Sequence, residues 1–174
     1  MSTSDGPVWG IHMGRPSGSP SDEAVRRTRE LQEQGYVALG WDGMGDMTKI
    51  PPDRASFKQH FVEKCFEPSP RSLAAQAGML FRFVHELRNG DIIVSPRPGG
   101  GPVKIGTVAE SYSYDPSWGY YHRRGVTWAV EVPRLELSKA ARDALTTRMS
   151  LFQIHEGAED FRRYVREAGM KLGY

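Results

Sequence analysis

The sequence predicts an α+β domain built on a small, curved, mostly antiparallel β-sheet or barrel with helices packed around it. Short β-prone runs recur along the chain, among them VWGIHM, YVALGW, DIIVS, VKIGTVAE and VTWAVEV. Amphipathic or capped helical segments separate the early runs, whereas the later runs follow one another closely, an order that suits a small sheet wrapped by helices. The length agrees: 174 residues, 39% hydrophobic and 25% charged, suit one core, since domains typically span about 100–200 residues.

The elements follow in order. Residues 1–7 read as a flexible N-terminus, and Val8–Met13 as a strand bounded by Pro7 and the tract GRPSGSP at 14–20. Ser21 is placed to cap a mostly polar helix whose first turn carries Asp22 and Glu23, and Gly35 stops it. Tyr36–Trp41 is a strand that runs into the glycine-rich DGMGDM. Pro51, Pro52 and Asp53 introduce a second helix with Phe57, Phe61, Val62 and Cys65 at amphipathic spacing. Pro68 and Pro70 precede the strongest helix, residues 71–88, in which Leu73, Ala77, Leu80, Phe81, Val84 and Leu87 trace one stripe. Asn89-Gly90 ends it. Asp91–Ser95 and Val103–Glu110 then read as a hairpin around the turn PRPGGG, and Val126–Val132 as a third β-run after the aromatic segment 112–121. Ser138 begins a helix through Ala144, Leu151–Ile154 is a short strand, and Ala158–Ala168 a terminal helix.

Several chemistries lack their residues. The five histidines are scattered without HxxxH or HExxH spacing, and a single cysteine, Cys65, excludes an internal disulfide or a multi-cysteine zinc site, so no metal and no cofactor is expected. GxSxG, GxGxxG in a strand–helix context and GxxxxGK[ST] are absent, and Cys65 reads as helix-face packing. The carboxylate and Glu-x-Lys pattern of a metal-dependent nuclease is missing, because Glu63 is followed directly by Lys64. No run approaches ~18 apolar residues and the opening MSTSDGPVWG lacks a signal-peptide pattern, so a cytoplasmic protein is expected, with no membrane partner. A net charge of +2, with five basic against seven acidic groups in residues 1–50, confines any anion-binding surface to a local patch built from the later two thirds of the chain.

The aromatic residues carry more information. Trp41 lies between a strand and Asp42-Gly43, outside the alternation of a sheet core, and residues 112–121 hold five rings: Tyr112, Tyr114, Trp118, Tyr120 and Tyr121. Flat rings bracketing a slot recognise a planar base or a methylated group, since stacking and cation–π attraction both use ring faces; the same rings could instead cap a small core. Trp128, alternating within a strand, reads as core. Arg97 in the PRPGGG turn, Lys104 on the return strand and Arg123-Arg124 beyond the aromatic segment are candidates for phosphate contacts.

The ordered set VWGIHMG, GYVALGWDGMGDM, AAQAGMLFRFVHELRNGDIIVSP and KIGTVAESYSYDP, followed by SKAARDAL and LFQI, resembles the PUA-like superfamily, specifically the EVE-like N-terminal domain of Mrr-type restriction proteins, related to EVE and YTH modified-base readers. The resemblance implies a PUA-like barrel over residues 8–155, with 156–174 a C-terminal helix packed on it or leading to a further domain. It implies a pocket in which Trp41 is a cage wall, Asp42 and Ser95 lie at the edge, a ring from Tyr114 to Trp118 closes it, and His12 belongs to the lining. The chain departs from EVE domains at ALGWDG and IVSP, so their base-edge contacts do not carry over. The expected function is non-catalytic reading of a modified base, flipped from double-stranded DNA in preference to RNA, for a restriction or defence system, with a nuclease domain or subunit as partner. Two alternatives stand beside it: a small-ligand or protein-interaction sensor, and an ASCH-type nucleoside hydrolase using Asp42, Asp115 and His122.

Overall fold

A computed structural model describes residues 5–13, 21–65 and 69–172, with backbone only for Cys65 and Leu172. The expected tract 14–20, the break at Pro68 and the packing of the Cys65 side chain lie outside the described residues. The strands are β1 (Val8–Ile11), β2 (Tyr36–Leu39), β3 (Ile92–Pro96), β4 (Val103–Val108), β5 (Ser113–Tyr114), β6 (His122–Val132) and β7 (Leu151–Ile154). The helices are α1 (Asp22–Gln34), α2 (Arg54–Cys65), α3 (Pro70–Phe81), α4 (Lys139–Ala144) and α5 (Ala158–Leu172).

The strands form one curved mixed sheet in the order β2-β6-β4-β3-β1-β7, with β5 also paired to β6. All pairings are antiparallel except β1 with β3. Period-two alternation sends neighbouring side chains to opposite faces: Val8, Ile92, Val94 and Ile105 join a core with α4 and α5, while Trp9, Ile11 and Ile93 join one with α1–α3. Burial on both faces explains why β3 reads as a continuous apolar run instead of an alternating one.

The polar helix α1 docks through a narrow stripe. Ala24, Thr28, Leu31 and Gln32 are buried at helical spacing, and the Thr28 hydroxyl donates to the Met13 carbonyl. Ser21 caps its start by accepting from the Ala24 N–H, and Gly35, at φ 80°, ends it in the left-handed region. In α2, Phe57 and Phe61 are buried as expected, but Val62 faces solvent.

Two elements differ from expectation for identifiable reasons. The helix expected at 71–88 changes at Arg82 into a π-turn through Glu86. The extra residue in that turn advances the side-chain phase, so Phe83 becomes fully buried whereas Phe81 and Val84 sit at the margin. Strand β6 begins at His122, four residues before the expected start. Residues 122–125 lie between β2 and β5, and residues 126–132 pair with β4.

That extension overturns the reading of Arg124 as a phosphate contact. Its side chain is buried, and its guanidinium donates to the carbonyls of Phe83 (2.9 Å), Leu87 (2.7 Å) and Glu110 (2.8 Å) and to Asn89 Oδ1 (3.2 Å). These acceptors come from the π-turn, its exit and the segment after β4, so one planar fork joins the helical layer to the sheet. Burial pulls the Arg124 pKa down from its usual value, yet the group remains cationic because arginine starts so high.

Arg124→Leu leaves the two buried carbonyls of Phe83 and Leu87, and the part-buried one of Glu110, without their donor. At about 1–3 kcal/mol for each buried group, unfolding free energy should fall by at least ~2 kcal/mol, read as a lower urea midpoint. Arg124→Lys should recover little, since a single ammonium cannot reach acceptors arranged around a planar fork.

Candidate ligand-binding cleft

β2 stands at one end of the sheet path, with no strand among the described residues on its outer edge. There the Ala38 N–H donates to Met13 Sδ at 3.2 Å, a thioether standing where another strand would offer a carbonyl. A cleft of about 510 Å³ opens along this edge, within the ~300–1,000 Å³ range of small-ligand sites. His12 and Met13 after β1, and Ala38, Leu39 and Gly40 from the end of β2, contribute to it. Ser21, Glu23, Ala24 and Arg27 at the start of α1, with Ser150 before β7, add the other side, and Trp41 and Tyr120 supply the rings.

Trp41 is the one non-glycine residue at positive φ among the described residues, with φ 63° and ψ 45°. A left-handed backbone costs a residue with a Cβ about 1–2 kcal/mol and persists only where surrounding contacts over-determine it. Those contacts are visible. The indole Nε1–H donates to Gln76 Oε1 (3.0 Å), and Gln76 Nε2 in turn donates to the Ser72 hydroxyl (2.6 Å) on the same helix, α3. The Trp41 carbonyl accepts from the Met44 N–H (2.9 Å) and from His122 Nε2–H (3.0 Å).

The His122 tautomer follows from its partners. A backbone carbonyl only accepts, so Nε2 carries the proton; in the neutral ring Nδ1 then accepts from the Tyr112 hydroxyl at 2.6 Å. The Tyr112 oxygen itself accepts from the Met47 N–H. His122 is fully buried, and that desolvation holds its imidazole below the usual histidine range; burial likewise pushes the Tyr112 phenol up. Both ring nitrogens of His122 are thus engaged, Nε2 by the Trp41 turn and Nδ1 by Tyr112.

The residues named from the sequence separate into groups. Trp41 and His12 line the cleft. Asp42, Tyr114 and Trp118 stand behind it. Asp42 accepts from the Tyr121 N–H, the Tyr114 ring lies 5.5 Å from that of His122, and Trp118 stacks under the Arg123 guanidinium at 4.4 Å. Ser95 is fully buried on β3, where its hydroxyl and carbonyl both accept from Gln32 Nε2; it does not reach the cleft edge. Arg123 also lies over Tyr36 and donates through Nε to the Tyr120 carbonyl, so its charge braces the aromatic loop. Lys104 lies 5.8 Å from the Trp128 ring centre, and Arg97 pairs with Glu131 at 2.9 Å. The expected core residue Trp128 is half-buried and donates to the Gln32 carbonyl.

Asp42, Asp115 and His122 do not line the cleft together. Asp115 is partly buried and accepts from the Ser117 N–H and hydroxyl, bonds that lower its pKa. Among the described residues no group of three His, Cys, Asp or Glu side chains could hold a metal ion, and no helix is long and apolar enough to cross a membrane. Sequence reasoning missed Tyr120 as the second ring, Arg27 beside it at 5.7 Å, and Gln32, whose buried amide links α1 to Ser95 and Arg97 and whose carbonyl accepts from Trp128. Gln32 had a weak signal, since it continues the Ala24–Thr28 spacing; Arg27 had none.

The neutral state of His122 makes stability depend on pH with a definite sign. As pH falls below ~6.5 the unfolded chain takes up a proton first, so stability declines until native His122 also protonates. His122→Gln, whose amide can both accept and donate, should flatten this decline. Urea midpoints between about pH 8 and about pH 5 measure it; an unaltered decline in the variant would assign the proton uptake elsewhere.

No curated protein matches the chain. One family model, described as a domain of unknown function, DUF8426, matches residues 16–155, a span that includes α1, the Trp41 turn, the aromatic loop and β7. The chain belongs to the DUF8426 family.

Proposed function

We propose that this chain is a PUA-like reader of a modified nucleobase, which it takes from double-stranded DNA into the cleft along β2. The observation that carries the reading is Trp41. Its backbone is strained, and its indole N–H and carbonyl are both tethered, at the margin of a cleft with a second ring, Tyr120. A tethered indole offers a face that needs no ordering when a base arrives, which is how a stacking platform gains affinity. His12 supplies a polar ring edge to the same cleft, as recognition of a base edge requires.

The surroundings suit a nucleic-acid ligand. A neighbouring depression of about 270 Å³ is lined by Arg26, Arg27 and Arg123 and shares Tyr120 and Arg27 with the cleft. Arg26 and Arg27 form exposed pairs with Glu30 and Glu23 on the same helix, pairs weak enough for phosphates to compete with. In this reading the base is extruded at an unstacking cost of a few kcal/mol and recovers it between the rings. The reader would serve a restriction or defence system, with the cutting supplied by a nuclease domain or subunit.

Titration of methylated, hydroxymethylated and unmodified duplexes tests the reading. Trp41→Ala should lose ~1–3 kcal/mol of binding and most of the preference for the modified site, while Trp41→Phe keeps part of both. The double variant Arg26→Ala/Arg27→Ala should weaken all duplexes alike and flatten the dependence of log affinity on log salt by about one unit for each phosphate no longer neutralised. Equal, weak binding to every duplex, unchanged in Trp41→Ala, would overturn the assignment.

A further inference from the structure

We infer that the depression beside the cleft is an oxyanion site anchored by Arg123, and that it takes the phosphate of the same nucleotide whose base enters the cleft. The anion site stands on its own geometry, whereas its occupation by a nucleotide rests on the base-reading proposal.

The donors of Arg123 carry the inference. The residue is only 9% exposed, yet one alone of the five N–H groups of its guanidinium is used. Nε–H donates to the Tyr120 carbonyl at 3.1 Å, and the terminal N–H groups meet no acceptor among the described residues. The charge lies over the rings of Trp118 (4.4 Å) and Tyr36 (5.3 Å). Ring contact of that kind engages the face of a guanidinium and leaves its in-plane donors for another partner. Asp115 acts on Arg123 electrostatically but makes no hydrogen bond to it, and that carboxylate accepts from Ser117. Burial pulls the Arg123 pKa down from its usual value, as befits a desolvated cation whose cost a bound anion would offset.

The depression, about 270 Å³ in volume, adds the guanidinium groups of Arg26 and Arg27 from α1. One carboxylate, Glu30, belongs to the lining and pairs with Arg26 at 2.7 Å; Glu23 pairs with Arg27. Both are exposed pairs one helical turn apart, so a phosphate competes with them for the arginines. Planar guanidinium forks match phosphate oxygens two at a time, which favours phosphate over a halide. The volume has room for roughly nine waters at ~30 Å³ each, more than a bare ion needs and enough for a phosphate with its sugar. Arg27 and Tyr120 line both the depression and the cleft, so the two meet along one wall. For a base held between Trp41 and Tyr120, the nearest phosphate across that wall is its own.

Two glycines separate the halves experimentally. Gly119 lines the depression and Gly40 the cleft; neither has a positive φ, and a Cβ at either meets no described atom within 4 Å. Side chains added there occupy open space at the two walls without backbone strain. Thermal unfolding of the full chain in inorganic phosphate, against chloride at matched ionic strength, should show a saturable rise in Tm. Its size should be roughly 3–6 °C once phosphate exceeds its Kd about tenfold. Exclusion of phosphate from protein surfaces also stabilises, but without saturating and in every variant alike. The saturable rise should vanish in Gly119→Asp and Arg123→Gln and persist in Gly119→Asn and Gly40→Leu. No saturable rise in wild type, a rise retained in Arg123→Gln, or equal responses of Gly119→Asp and Gly119→Asn overturns the anion site. The glycine pair decides even if Arg123→Gln loosens the aromatic loop.

The shared occupant is tested by calorimetric titration with methylated and hydroxymethylated deoxycytidine and methylated deoxyadenosine, each as the nucleoside and as each of its two monophosphates. One monophosphate should bind about tenfold or more tighter than its nucleoside, the scale of a single charge-assisted hydrogen bond. That advantage should be lost in Gly119→Asp, and Gly40→Leu should reduce binding to that of inorganic phosphate. Monophosphates no tighter than their nucleosides overturn the shared occupancy. Phosphate binding by a chain that takes none of the nucleosides or nucleotides overturns the base reading and leaves the anion site standing.

Discussion

The buried guanidinium of Arg124 is the joint on which the two layers of the molecule depend. It replaces water for the Phe83 and Leu87 carbonyls at the end of the π-turn and for the Glu110 carbonyl after β4. A helix that ends against a sheet exposes carbonyls at the place least accessible to solvent, and such groups must be satisfied there. With Arg124 in place, α3 can terminate inside the protein, and Gln76 on that helix is brought to the indole of Trp41. Its neighbours on β6 extend the same logic: His122 holds the Trp41 turn and Arg123 the aromatic loop. Three successive polar residues in the middle of a sheet thus position the helical layer and both rings of the cleft.

The order of the main elements was legible because it follows from local rules. Capping at Ser21, the stop at Gly35 and the doubly buried run Ile92–Val94 each announce themselves over a few residues. The start of β6 was not legible. His-Arg-Arg-Gly reads as surface, and only partners distant in the chain, Phe83, Leu87 and Tyr112, make its burial favourable. The π-turn was hidden for a related reason, since Leu73–Leu87 fits a regular α-helical stripe and the inserted residue shows only as the altered burial of Phe83.

The site was legible in part. Trp41 stood out because a bulky ring followed by Asp-Gly belongs neither to a strand core nor to an ordinary turn, and His12 and Trp41 do line one cleft. The aromatic loop could be seen as a cluster, but not which ring faces the cleft. Tyr114 and Trp118 are occupied with His122 and Arg123, leaving Tyr120 at the opening. Ring orientation is decided by cation–π and hydrogen-bond partners on β6, and sequence spacing carries no record of those.

The left-handed backbone at Trp41 also bears on how this chain changes over generations. Glycine or asparagine would occupy that conformation at less cost, but would give up the indole's hydrogen bond to Gln76 and its packing on the core. Tryptophan holds the position only while those contacts outweigh the backbone cost. A change in α3 that withdraws Gln76 therefore turns the same ring from the best occupant of the turn into a poor one.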